Sequence, residues 1–132
     1  MTIPSFSATF QSLPSQLSLA RQFIHSTLEK LEIQNKTDIL IAVGEALQNI
    51  VRHAYINTKP GDFLLTITKL GDVIEVVIKD DAPTSNPELF MHQTHPPSEL
   101  GGMGIDLIKK IALEFRIDPQ PNGNITTLKF HS

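Results

Sequence analysis

Glu45, Asn49 and His53 recur every four residues within a largely apolar stretch, residues 39–55, of a 132-residue chain. At 3.6 residues per turn each step of four rotates by about 40°, so on a helix the carboxylate, the amide and the imidazole line one face. Leu40, Val43, Ala46, Leu47, Ile50, Val51 and Ala54 fall on the opposite side, a face wide enough to dock on a core. The polar stripe then faces either solvent or a ligand pocket. A second motif bears on that choice: Gly101, Gly102 and Gly104 occupy three of four successive positions just before a helical pattern at residues 106–114. Glycine admits positive φ and lets a ligand approach bare amides, and a helix start offers unpaired N–H groups and positive dipole. The motif is a phosphate cradle or a hinge before a helix. A third is Asp80, which ends an apolar strand pattern over residues 73–79 and precedes Asp81-Ala82-Pro83. Its carboxylate can accept from the exocyclic amine of a base, or serve the turn before the proline.

The order of these motifs, Glu-x-x-x-Asn on a helix, an Asp ending a strand, a long loop and Gly-Gly-Met-Gly at a helix start, resembles the GHKL family of ATP-binding domains. The phrases Ile41-Ala42-Val43-Gly44-Glu45-Ala46-Leu47-Gln48-Asn49-Ile50-Val51-Arg52-His53-Ala54-Tyr55 and Gly101-Gly102-Met103-Gly104-Ile105 are similar to the bacterial anti-sigma-factor serine/threonine kinase branch. The resemblance spans nearly the whole chain. It implies that Asn49 ligates Mg²⁺ held by the phosphates of ATP, that Glu45 positions or deprotonates the attacking hydroxyl, and that Asp80 binds the adenine amino group. It further implies that Gly102 and Gly104 let a lid close over the phosphates and that Thr127 supports the adenine. Magnesium takes hard oxygen ligands and keeps waters, so one side-chain carbonyl plus phosphate oxygens can suffice. The implied partners are a sigma factor, an anti-sigma antagonist that is phosphorylated, and a second copy of the chain in a homodimer. His53 carries no role from the resemblance and is read as a packing residue, and Arg52 is read as facing solvent.

The chain also departs from the family pattern. Where relatives carry Asp-x-Gly-x-Gly, it reads Asp80-Asp81-Ala82-Pro83-Thr84, which puts a β-carbon at both glycine positions. There is no Lys or Arg from Asp80 through Ile108, and Leu100 stands where relatives carry a lid arginine. Asn124-Ile125 replaces a Gly-Thr pair ahead of Thr126 and Thr127. These differences motivate an alternative function, a catalytically weak or inactive regulator that binds proteins in a nucleotide-dependent way.

The elements that must position these residues are legible as periodicities. Phe6, Ala8 and Phe10 alternate as a strand within residues 5–10, and Leu17, Ala20, Ile24, Leu28 and Leu31 recur at helical spacing over residues 14–31. Residues 35–38 offer caps for the helix that bears Glu45. A strand at residues 63–70 connects through Gly71-Asp72 to the strand at residues 73–79. The loop at residues 81–100 holds four prolines and is longer than most connections, so residues 81–103 are read as an ATP lid. Strands at residues 115–118 and 125–130 flank a hairpin at residues 119–124. The whole predicts a single domain, residues 1–132, built as an α/β (α+β) two-layer sandwich. Helices cover one face of a mixed, mostly antiparallel sheet, the Bergerat-type ATP-binding fold of the resembled family.

Composition narrows the function classes. A chain of this length with 40% hydrophobic residues can furnish one core. The absence of cysteine excludes disulfides and thiolate metal sites, and the five histidines lack zinc-ligand spacing. A net charge of -3 argues against direct nucleic-acid binding. No apolar run approaches a membrane span of about 20 residues, and the amino terminus lacks a signal-peptide profile. A soluble cytoplasmic protein is expected.

Overall fold

The alternation at Phe6, Ala8 and Phe10 becomes strand β1 (Ser5–Gln11), with these three turned inward while Ser5, Ser7 and Thr9 are exposed. The computed structural model describes residues 3–54, 59–83 and 102–132. After β1 a 3₁₀ turn (Pro14–Gln16) opens with the proline tolerated at a helix start, and helix α1 (Leu17–Lys30) follows. Helix α2 (Lys36–Asn49) runs on into a π-helical turn (Ile50–Ala54). Strands β2 (Asp62–Leu70) and β3 (Val73–Asp80), helix α3 (Gly102–Ile111), and strands β4 (Glu114–Gln120) and β5 (Gly123–His131) complete the order. Most of the expected lid, with Gly101 in it, lies outside the described residues, as does the side chain of His53.

The five strands form one sheet in the order β1-β2-β3-β5-β4, antiparallel in all four pairings. This is the antiparallel limit of the mostly antiparallel sheet expected. Register decides which residues share a face. Ile74, Val76, Ile78 and Asp80 of β3 stand opposite Phe130, Leu128, Thr126 and Asn124 of β5, and this face meets the helices. The core joins it to Ile24 and Leu28 of α1, Ile39 and Leu47 of α2 and Ile108 of α3, all essentially inaccessible. Each such side chain contributes about 1.5–3 kcal/mol by leaving water. The other face carries polar pairs beside exposed Leu64 and Leu70: Ser5 and Ser7 share hydrogen bonds with Thr68 and Thr66 at 3.0 and 2.9 Å, and Arg116 pairs with Glu114 and Asp118 at 3.0 Å each.

Several boundaries move from the sequence expectation for local reasons. Helix α2 begins at Lys36, with Asn35 at the N-cap position, but the Asn35 amide donates to the His131 carbonyl at 3.2 Å and makes no capping bond. Helix α3 takes Gly102 and Gly104 into its first turn and stops at Ile111, because Glu114 is already paired with Lys129 across β4 and β5. Pro119 and Asn124 are strand residues paired with each other, so the expected loop shrinks to a turn at 121–122. Proline fits there because β4 is an edge strand.

Helix α1 closes on a Schellman motif: Ile33 donates to the Leu28 carbonyl at 3.0 Å and Glu32 to the Glu29 carbonyl at 3.0 Å. Glu32 holds the left-handed position at φ 55, where glycine is usual. Gly123 shows the opposite economy of shape. A β-carbon there would lie 1.9 Å from the Asp80 carbonyl oxygen, and its φ is 151, so β5 begins pressed against the end of β3.

Candidate functional site

Ala42, Val43, Ala46 and Leu47 are buried along α2 and fix its rotation. That rotation leaves Glu45 partly exposed and carries Asn49 inward to 8% exposure. Asn49 Nδ2 is buried without a hydrogen-bond partner, an arrangement that costs about 1–3 kcal/mol unless a ligand completes it.

Glu45 lies against the start of α3. A β-carbon on Gly104 would come within 2.6 Å of Glu45 Oε2, so the absent side chain is what admits the carboxylate. Gly102 and Gly104 are both in the first turn, where helical N–H groups have no intrahelical acceptor and the dipole is positive. The two motifs that sequence spacing singled out are therefore in contact, a carboxylate and a buried amide on one helix and a glycine-bearing helix start on the other. The π turn follows Asn49 directly, and such turns often mark functional sites. Arg52 is exposed, as expected.

Asp80 ends β3 at 4% exposure, on the face that meets the helices. Its Oδ1 accepts from the Ala82 N–H at 3.0 Å and from Asn124 Nδ2 at 3.1 Å. Burial pushes the carboxyl above the ordinary aspartate value of 3.8, against the pull of the Asn124 and Ala82 hydrogen bonds. Ala82 takes the first glycine position of the resembled pattern without strain. Its methyl is buried at 1% exposure, and among the described non-glycine residues positive φ occurs at Glu32 alone. The neighbouring Asp81 accepts the Asp62 N–H at 3.2 Å, which ties the end of β3 to the start of β2.

The register separates Thr127 from the Asp80 face. Thr127 stands opposite Val77 and Arg116, on the sheet face turned away from the helices, whereas Thr126 stands opposite Ile78 and shares the Asp80 face. Two further residues escaped the sequence reading. Arg21 of α1 packs its Nε 3.5 Å from where a Gly44 β-carbon would stand, and with Leu40, Ile41, Gly44 and Glu45 it lines a depression of about 250 Å³. The signal available was a glycine inside a helix, which asks for a close neighbour. Asn124, expected within the hairpin at residues 119–124, pairs with Asp80.

A family model, the histidine kinase-like ATPase domain, matches residues 10–130. An anti-sigma F factor of Bacillus licheniformis is 26% identical over 125 residues, covering 89% of this chain and 84% of that protein. The serine-protein kinase RsbW of Oceanobacillus iheyensis is 26% identical over 117 residues, covering 81% and 74%. Among solved structures, the RsbU and RsbW domains of a Mycobacterium tuberculosis protein superpose with a TM-score of 0.71 at 17% identity, over 97% of this chain and 32% of that one. The catalytic domain of the histidine kinase ThkA gives 0.58 at 15% identity, over 99% and 96%. At those identities the structures establish the fold, and this chain spans about a third of the mycobacterial one. Because the family match runs from within β1 to near the end of β5, the chain belongs to the histidine kinase-like ATPase domain family, with the anti-sigma kinases among its relatives.

Proposed function

We propose that this protein binds Mg-ATP and acts as an anti-sigma-factor serine/threonine kinase, sequestering a sigma factor and phosphorylating a small antagonist protein. The observation that carries this reading is the placement of the Glu45 carboxylate against Gly104 at the helix start, one turn from the orphaned amide of Asn49. A carboxylate beside a phosphate-binding helix start can accept the proton of a serine or threonine hydroxyl as its oxygen attacks the terminal phosphorus and ADP leaves. The orphaned Asn49 Nδ2–H fits a phosphate oxygen, an acceptor that would give it the partner it lacks, while Mg²⁺ would be held through the Asn49 carbonyl oxygen. Among the described residues no group of three or more His, Asp or Glu gathers to hold a metal, so the metal's remaining ligands would be phosphate oxygens and water. When bound, Mg²⁺ neutralises phosphate charge and helps align the transferred group. Asp80 accepts from the adenine amine, Gly102 and Gly104 present backbone N–H groups, and Arg21 sets a positive charge beside the Glu45 depression. The similarity to an anti-sigma F factor and to the serine-protein kinase RsbW supports these partners. A homodimer and a cytoplasmic location belong to the same proposal. Among the described residues no helix is long and apolar enough to cross a membrane.

One observation favours a second reading, a nucleotide-dependent binding regulator with little turnover: the chain carries no Lys or Arg from Asp80 through Ile108. Calorimetric titration of ATP with Mg²⁺, with EDTA, and into Asn49→Ala tests the shared premise, and the expected result is saturable binding that needs both the metal and the amide. Absence of binding by the folded protein overturns both readings. Single-turnover transfer from ATP to an antagonist domain, lost in Glu45→Gln while ATP still binds, decides for the kinase.

A further inference from the structure

Asn124 is 3% exposed, and its two amide ends have different fates. Nδ2 donates to Asp80 Oδ1 at 3.1 Å, while Oδ1 is buried with no hydrogen-bond partner. A buried acceptor in this condition is satisfied by a donor brought from outside. The residue cannot retreat to find one. Gly123 before it lies against the Asp80 backbone so closely that a β-carbon would meet the Asp80 carbonyl at 1.9 Å, and Asn124 is locked in register between Asp80 and Pro119. The pair lines a depression of about 240 Å³ at the ends of β3 and β5. Asp80 Oδ1 is already occupied by two donors, Ala82 N–H and Asn124 Nδ2. Together with the Asn124 backbone N–H, which also bonds to the Asp80 carboxylate, these donors fix the carboxylate plane.

We propose that Asn124 is a specificity-determining residue of the nucleotide site, its Oδ1 and the second oxygen of Asp80 forming a two-acceptor clamp on the two hydrogens of an exocyclic amine. The inference rests on the nucleotide-binding reading above and adds a second base-reading residue to it. The ligand selected is a 6-aminopurine nucleotide. A 6-oxopurine offers an acceptor to two acceptors and is rejected, and a purine without a 6-substituent leaves both unpaired. A carboxylate alone needs one amine hydrogen, whereas the clamp needs both. Methylation of the amine therefore separates the two arrangements.

The test measures dissociation constants for ATP, N6-methyl-ATP and purine riboside triphosphate, each with Mg²⁺, on the wild-type protein and on Asn124→Ala, with thermal melting to confirm folding. In the wild type, N6-methyl-ATP and purine riboside triphosphate are each expected to bind at least about tenfold more weakly than ATP, as loss of a buried hydrogen bond implies. In Asn124→Ala, which removes the orphan acceptor and makes room for a methyl group, the penalty on N6-methyl-ATP is expected to fall to about threefold or less while purine riboside triphosphate changes little. If Asn124→Ala does not fold, the wild-type comparison decides. Wild-type binding of N6-methyl-ATP within about threefold of ATP overturns the clamp. An Asn124→Ala variant that weakens all three nucleotides equally also overturns it, and reduces Asn124 to a support for Asp80. A wild-type protein that binds none of the three overturns the nucleotide reading itself, and the clamp with it.

Discussion

Glu45 Oε2 and the missing side chain of Gly104 compete for one volume, and this makes a single methyl group informative. Gly104→Ala would place a β-carbon 2.6 Å from the carboxylate. The obstacle is the far end of a flexible side chain, so Glu45 turns aside and the fold survives, while alanine gains helix propensity of about 1 kcal/mol over glycine. The expected outcome is a melting temperature equal to or above wild type, with phosphoryl transfer reduced at least about tenfold through misplacement of the carboxylate. Combining Gly104→Ala with Glu45→Ala should add no further loss. Asp80 supplies a second prediction with a definite sign. Its pKa is raised on folding, chiefly by burial, so the folded protein holds that proton more tightly than the unfolded chain. Its contribution to stability is therefore greatest at low pH and declines as pH rises from near 3.8 through the raised folded value. Asp80→Asn retains an oxygen for the Ala82 and Asn124 donors and removes the buried charge. Chemical denaturation at several pH values should show that part of the slope gone and stability at neutral pH undiminished. Calorimetry should show ATP binding weakened by at least about tenfold, because an amide N–H₂ then faces the base amine.

Among the elements, α1 is terminated at a cost. The Schellman bonds from Glu32 and Ile33 require the left-handed conformation at Glu32, which a residue with a β-carbon adopts at about 1–2 kcal/mol. Glycine adopts it freely but loses more entropy on folding, so Glu32→Gly is expected to raise stability by about 0.5–1 kcal/mol in urea denaturation, with nucleotide affinity unchanged. Elements with strong internal periodicity were legible in the sequence: β1, α1, the body of α2 and the β2–β3 hairpin stand where alternation and helical spacing put them. The errors fall where a long-range partner overrides a local preference. Residues 112–114 continue the helical pattern of α3, but pairing of Glu114 with Lys129 captures the chain as strand. Pro119 and Asn124 look like hairpin residues and are paired strand residues, because an edge proline costs β4 no ladder bond on its open side.

For the molecule as a whole, site and core share their supports: α2 and α3, packed on the inner sheet face, carry both the apolar core and the residues assigned to the nucleotide. A ligand held between them stabilises the folded state alone. Mg-ATP at about one hundred times its dissociation constant adds about 2.7 kcal/mol, which for a chain of this size raises the melting temperature by about 10 °C. Differential scanning fluorimetry should show that rise, and Asn49→Ala should abolish it. The sequence by itself determined the kind of fold and the residues that are candidates for its chemistry. A four-residue spacing places Glu45 and Asn49 on one helical face, and a glycine cluster at a helix start offers backbone donors, because helix geometry is local and period alone reports it. Only the tertiary structure decided which groups meet. The contact of Glu45 with Gly104, the burial that leaves Asn49 and Asn124 each with an orphaned atom, the packing of Arg21 on Gly44, and the placing of Thr126 and Thr127 on opposite sheet faces depend on helix rotation and strand register. Those are set by contacts between residues far apart in sequence, which no local pattern records.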